Sequence, residues 1–257
     1  MRNSLIKWLV GVLALALVLF AVVPAAAETK VGSNVDSRVI LAFKVNDDAV
    51  QAKLPGGWGL LTLPKGPLAG SNLLVAFIDR HLALDPDGKP LTPHNSRSVA
   101  ILAYGVKPGV SGAHMFVLRV YETPPVASSY DNGVAASIGR DMTLTGPVEG
   151  ARTHQEVWSV EPESGGTLSL NLTYQSGRPS WSSSEAMPYS AVNPEFHRIY
   201  RYDQLADLSM SVALGRELNG DIAVKSSIPE LSGMFDSSES LTGVLAIPVY
   251  VREVSLP

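Results

Sequence analysis

The sequence predicts a mainly β protein: a closed or partly closed antiparallel β-barrel with a central cavity and one or two short helices. Three observations favour this fold class. Short segments alternate apolar and polar residues at the period of a β-strand. Longer segments are apolar on both strand faces, as expected where a sheet closes on itself or is covered on both sides. Clear helix signals are confined to one short stretch.

The N-terminal residues 1–27 have the order of a secretory signal peptide. Arg2 and Lys7 precede or open a long apolar run, and small alanines follow it. We therefore expect cleavage before Glu28, a periplasmic or secreted protein, and a single domain over residues 28–257. The alternative is an uncleaved membrane anchor, although the apolar run is shorter than the ~20 residues that a spanning helix needs. We predict no membrane span after removal of the signal.

The composition argues against several classes of function. The chain has 20 Lys and Arg against 24 Asp and Glu, a net charge of -4, so no cationic surface for nucleic acid is predicted. It has no cysteine, which excludes disulfides, thiolate chemistry and cysteine-based zinc sites. The five histidines lack the short spacings of metal ligands. We therefore expect no metal and no other cofactor.

Five apolar segments predict the long strands of the barrel. They are RVILAFKV (38–45), NLLVAFIDRHLAL (72–84), SVAILAYGV (98–106), GAHMFVLRVYE (112–122) and GVLAIPVYVREV (243–254). Pro248 interrupts the last of these. Because proline cannot donate to a ladder, we expect Pro248 at a sheet edge or at a bulge.

The remaining elements have more local signals. HQEVWSVEPESGG (154–166) followed by TLSLNLTY (167–174) predicts a hairpin. NDDAVQAKLPGG (46–57) predicts a short helix with Asn46 as its N-cap. DNGVAASIG (131–139) is compatible with a second helix or with a strand. RPSWSSSEAMPYSAVNPEF (178–196) is rich in Ser and Pro, which favours a loop or lid.

Three segments resemble the acetoacetate decarboxylase-like superfamily. They are FKVNDDAVQAKLPGGW (43–58), YDNGVAASIGRDM (130–142) and VKSSIPELSGMFDSSESLTGVLAIPVYVREV (224–254). The resemblance implies a closed or partly closed β-barrel with a cavity, in agreement with the strand patterns.

The resemblance also raises the question of a reactive lysine. In the family's decarboxylases, a Gly-Arg-Glu segment leads to a Pro-Lys-Lys element whose first lysine forms a Schiff base with the substrate. Here GRDMTLTGPV starts with Gly139 and Arg140, and no lysine occurs between Lys107 and Lys225. The resemblance therefore implies a divergent member without the Schiff-base lysine. Lys225, which follows a second Gly-Arg-Glu segment, is the one remaining candidate for a Schiff-base nucleophile. The alternative is that Lys225 is a solvated lysine on a loop or at a strand end.

Arginines in or near the strands are the first candidates for ligand binding. Alternation places Arg119 on the strand face of Met115, Val117 and Tyr121. A buried charge must be paired or must face a cavity. We predict that Arg119 or Arg140 binds the carboxylate or keto oxygen of a small, largely apolar compound. The alternative for Arg119 is an ion pair at the rim of the barrel.

Other residues complete the functional hypotheses. Trp181 and Tyr189 are predicted to close over the ligand. The first function is ligand binding without Schiff-base decarboxylation. The second is a lyase or isomerase acting on a keto or carboxylated compound, with Arg140, Asp141 and His114 as acid/base and anion-binding groups. The third is an interaction module of the cell envelope.

Overall fold

The computed structural model describes residues 27–124 and 130–257. The predicted signal peptide, apart from its last residue, lies outside the described residues. Within them, no helix has both the length and the apolar character needed to cross a bilayer.

The described chain is mainly β, as predicted, with three short helical segments. The helices are α1 (Asp47–Gln51) and two 3₁₀ turns (Val212–Leu214 and Pro229–Leu231). The strands are β1 (Thr29–Lys44), β2 (Gly59–Leu61), β3 (Leu73–Leu84), β4 (Ser96–Val106), β5 (His114–Thr123), β6 (Gly133–Thr145), β7 (Thr153–Pro162), β8 (Leu168–Gln175), β9 (Ser180–Ala186), β10 (Pro188–Ser190), β11 (Ile199–Ser211), β12 (Gly220–Ser226) and β13 (Ser240–Leu256).

The strands form one sheet that is only partly closed. Its order is β12-β8-β7-β6-β5-β4-β3-β1-β13-β11-β9, with β2 paired to β4 and β10 paired to β5. Within the described ranges, the terminal strands β12 and β9 do not pair with each other. Most pairs are antiparallel, as predicted, but β5 pairs in parallel with both β6 and β10.

The central strands are covered on both faces, which explains their continuous apolar sequences. On β3, Leu73, Val75 and Phe77 belong to the hydrophobic core. The alternate residues Leu74 and Ala76 line a large cavity on the other face. Because side chains alternate along a strand, the same elements build the core and the wall of the cavity.

The predicted hairpin and the first helix are confirmed. β7 and β8 are antiparallel neighbours, with Trp158 of β7 opposite Leu170 of β8. The Asn46 side chain accepts hydrogen bonds from the backbone N–H groups of Asp48 and Ala49 at 2.9 and 3.4 Å, as expected of an N-cap. The segment 131–139 contributes to β6, so the strand alternative is correct.

The expectation of a long loop or lid over residues 178–196 is wrong. β9 pairs with β11, and β10 pairs with β5. The edge of β11 supplies the backbone hydrogen-bond partners of β9. The sequence of residues 178–196 alone does not reveal this distant pairing. A polar, serine-rich strand suits this position because β9 is itself an exposed edge.

Pro248 lies at a bulge of β13, as predicted. The pair between Ile247 and Arg38 is followed by the pair between Tyr250 and Asp36. Two residues of β13 therefore oppose one residue of β1, and the missing N–H of the proline removes no regular ladder bond.

Candidate functional site

A large cavity of about 480 Å³ lies against the inner faces of β1, β3, β4, β5, β11 and β13. Much of its wall is apolar, including Ile40, Leu102, Met115 and Leu245. This volume and composition are typical of sites for small organic molecules.

The polar part of the cavity wall is strongly cationic. Glu122 is the one carboxylate among the described lining residues. Four arginines also line the cavity: Arg38, Arg80, Arg198 and Arg252. Five tyrosines accompany them: Tyr104, Tyr130, Tyr200, Tyr202 and Tyr250.

A buried network neutralises part of this charge. Arg38 donates two hydrogen bonds to the fully buried Asp36, and its guanidinium lies 3.4 Å from the ring centroid of Tyr250. Arg252 donates to the Asn34 side-chain oxygen at 2.9 Å, and Asn34 in turn donates to Asp36. One carboxylate therefore serves two arginines in this network.

Arg80 and Arg198 have no such neutralisation. Arg80 donates from Nη1 to the Ser96 hydroxyl at 3.0 Å. The Nε atoms of Arg80 and Arg198 are buried and have no hydrogen-bond acceptor among the described residues. Burial lowers the pKa of Arg80 to about 10, and the charge of Arg252 adds to this shift. The group is still cationic at neutral pH, so the cavity holds charge without an equal number of anions.

Glu122 differs from the paired carboxylates of the protein. Its carboxylate takes part in no hydrogen bond or ion pair within residues 27–124 and 130–257. Burial raises the pKa of Glu122 above its ordinary value, although the charge of Arg80 partly offsets the effect.

The predicted position of Arg119 is wrong because β5 contains a bulge. Arg119 pairs with Ile101 and Val117 pairs with Leu102, so the intervening residue is extra. The bulge turns Arg119 away from Met115 and Val117, which line the cavity. Arg119 instead binds Glu230 at 2.6 Å, the ion pair that the alternative interpretation anticipated.

Arg140 lies in a second, smaller cavity of about 250 Å³. Its guanidinium forms ion pairs with Asp79 and Glu156, each at 3.1 Å, and donates to the Ser37 hydroxyl at 2.7 Å. Two carboxylates therefore balance its charge. Arg38 lines both cavities and lies at their boundary.

Of the remaining predicted site residues, which are His114, Asp141, Trp181 and Tyr189, only His114 and Tyr189 are in contact within the described chain. His114 stacks on Tyr189 with ring centroids 4.1 Å apart, outside the lining of the large cavity. Burial lowers the pKa of His114, and the proximity of His197 contributes. Asp141 is exposed on β6, and Trp181 is 58% exposed on β9. Their predicted roles stay predictions.

Lys225 is exposed on the edge strand β12, opposite Ser169 of β8. It does not line either cavity. The four cavity arginines, by contrast, were missed by sequence reasoning. A signal was present for Arg80 and Arg252, since both interrupt apolar strand segments in the same way as Arg119.

Comparison with known proteins identifies the fold. No protein-family model and no curated protein matches the sequence. Among solved structures, the enduracididine biosynthesis enzyme MppR complexed with pyruvate matches with a TM-score of 0.53 at 14% identity, over 91% of each chain. An acetoacetate decarboxylase-like enzyme from Sphingomonas wittichii RW1 matches with a TM-score of 0.53 at 10% identity, over 89% of this chain and 91% of that chain. The chain therefore has the acetoacetate decarboxylase-like fold.

Proposed function

We propose that the chain binds a small, largely apolar compound with a carboxylate or keto acid group in the large cavity. The observation that carries the proposal is that Arg80 and Arg198 line this cavity with buried, unpaired Nε atoms and, unlike Arg140, form no ion pair with a carboxylate of the described chain. A buried cation without a partner is costly, and a bound anion would remove that cost.

The chemistry of the wall indicates the kind of ligand. Guanidinium groups bind carboxylates through paired hydrogen bonds, which favours an acid over a neutral compound. The apolar remainder of the wall favours a ligand with a hydrocarbon part. The solved MppR structure contains pyruvate, and this supports a keto acid as the first compound to test.

We further propose that binding proceeds without a Schiff base. None of the described lining residues is a lysine, and an arginine stays protonated and cannot act as an amine nucleophile. Treatment with borohydride in the presence of pyruvate should therefore leave the mass of the protein unchanged. A covalent adduct on Lys225 or any other lysine would contradict this part of the proposal.

Export completes the proposed function. The order of charged, apolar and small residues before Glu28 supports a periplasmic or secreted location, where the cavity would bind its ligand. Mass spectrometry of the protein from the producing cell should give Glu28 as the N-terminus. An intact residue 1 in washed membranes would contradict export as a soluble protein.

Calorimetric titration with pyruvate tests the binding proposal. Arg80→Ala should weaken binding by roughly ten- to hundredfold, because one charge-assisted hydrogen bond contributes about 1.5–3 kcal/mol. Arg178→Ala is the matched control, since Arg178 is exposed and lies outside the cavity. The neutral methyl ester of pyruvate should bind the unchanged protein less tightly than pyruvate does. Equal affinities for the acid and the ester would contradict the role of the arginines.

A further inference from the structure

We infer that the large cavity catalyses proton exchange at the carbon next to the carbonyl of a bound 2-oxo acid, with Glu122 as the general base. This inference rests on the proposed function, because the arginines must first hold the carboxylate of the compound. It adds an activity and a catalytic residue that binding alone does not require.

The sheet register places Glu122 and Arg80 on the same cavity wall. Glu122 on β5 lies opposite Ser98 on β4, which in turn lies opposite Ile78 on β3. Arg80 is two residues beyond Ile78 and therefore points to the same face. The backbones of β3 and β5 are about 10 Å apart, twice the strand spacing of ~4.8 Å. Both side chains line the same cavity of about 480 Å³, which has the volume for a ligand of a few carbons.

Glu122 has the environment of a base. Asp36, Asp79, Glu156 and Glu230 all form ion pairs with arginine. Glu122 has no such partner within the described chain, so its lone pairs are available to a ligand. Its burial also makes the carboxylate a stronger base than one in water.

The arginines provide the second requirement, stabilisation of the developing negative charge. Loss of the proton places charge on the carbonyl oxygen of the 2-oxo acid. The unpaired Nε groups of Arg80 and Arg198 can donate to that oxygen or to the adjacent carboxylate. Donors that are already fixed in position are effective because they need little reorganisation during the reaction.

The step balances without any further reactant. A carboxylate oxygen of Glu122 takes the proton from carbon, and the C–H electron pair forms the C=C bond of an enolate. The carbonyl π electrons move to oxygen. In D₂O the protonated Glu122 exchanges its proton for deuterium, and the reverse step returns deuterium to carbon.

Loss of the methyl proton signal of pyruvate in D₂O, followed by NMR spectroscopy, tests the inference. The unchanged protein should accelerate this loss over buffer alone. Glu122→Gln should slow the protein-dependent rate at least about a hundredfold, the lower end of the usual contribution of general base catalysis. Calorimetry should show that this variant binds pyruvate as tightly or more tightly, because a negative charge near the ligand has been removed. Glu161→Gln, an exposed glutamate on β7, is the matched control.

The pH profile separates catalysis from a structural role. The exchange rate should rise with pH through a pKa above that of an ordinary glutamate, and Glu122→Asp should retain part of the rate. Pyruvate binding without exchange, or exchange that survives Glu122→Gln, would overturn the inference and leave the proposed function intact. Failure of the unchanged protein to bind pyruvate would instead refute the proposed function and the inference together.

Discussion

At the scale of single residues, Arg80 and Arg140 show two ways of burying a guanidinium. Arg140 has two carboxylates and a hydroxyl around it, and its side chain is only 6% exposed. Arg80 has one hydroxyl acceptor and no carboxylate at ion-pair distance in the described chain, whereas the Nε atoms of both arginines lack an acceptor there. The first arrangement supports the structure, and the second is suited to a ligand that completes it.

This contrast predicts different effects on stability. Arg140→Ala removes the cation beside Glu156, which is almost fully buried, and should lower the free energy of unfolding by about 3–5 kcal/mol. Arg80 forms no ion pair in the described chain, so Arg80→Ala breaks none. This substitution should therefore lower the free energy of unfolding by much less. Urea denaturation of both variants measures the difference. Equal losses would show that Arg80 also has a mainly structural role.

At the scale of elements, the 3₁₀ turn Pro229–Leu231 is attached to β5 through one carboxylate. Glu230 accepts hydrogen bonds from Arg119 at 2.6 Å and from the Tyr121 hydroxyl at 2.7 Å. Burial raises the pKa of Glu230, but these two donors and the charge of Arg119 outweigh burial and lower it below its usual value.

The lowered pKa of Glu230 predicts a dependence of stability on pH. A carboxyl whose pKa is lower in the folded state stabilises the protein above its unfolded pKa of about 4.5. This contribution is lost as pH falls through the lower, folded value. Glu230→Gln should therefore lower stability at pH 7 and flatten its decline below about pH 4.5. An acid transition identical to that of the unchanged protein would contradict the assignment.

The N-cap of α1 gives a second prediction at this scale. Asn46→Ala removes the acceptor of two backbone N–H groups and should destabilise the protein by about 1 kcal/mol. Asn46→Asp keeps an acceptor oxygen and should change stability by much less. Chemical denaturation of the two variants should therefore give different midpoints, and coincident midpoints would argue against the cap.

The elements also show what a sequence can reveal. Alternation identified the hairpin of β7 and β8, and the capping signal identified α1, because both patterns are local. The pairing of β9 with β11 depends on an edge far away in the chain. The bulge in β5 is one extra residue, yet it moves Arg119 from the cavity side to Glu230. The cavity arginines could be seen as charges in apolar strands, but their convergence depends on the sheet order.

At the scale of the whole molecule, the partly closed sheet has an apolar core on one face and a cavity lined by arginines on the other. The central strands present alternate residues to an apolar core and to the arginine cavity. The core stabilises the strands, and they hold the arginines at fixed positions. At these positions Arg38 and Arg252 are bound to Asp36 and Asn34, whereas the Nε atoms of Arg80 and Arg198 have no acceptor in the described chain.

This coupling predicts stabilisation by the ligand. At about 100 times its dissociation constant, a ligand that binds only the folded state adds about 2.7 kcal/mol to stability. For a chain of this size, the melting temperature should rise by roughly 5–10 °C. Arg80→Ala should show about half of this rise or less at the same pyruvate concentration, because its affinity is expected to be roughly ten- to hundredfold lower, while Arg178→Ala should respond as the unchanged protein does.

The central claim is that the large cavity binds a carboxylate through its unpaired arginines. A crystal structure of the protein with pyruvate tests it most directly. We expect the carboxylate within hydrogen-bond distance of Arg80 or Arg198, with no covalent bond to any lysine. Pyruvate bound at Arg140 in the smaller cavity, or linked to a lysine, would contradict the claim.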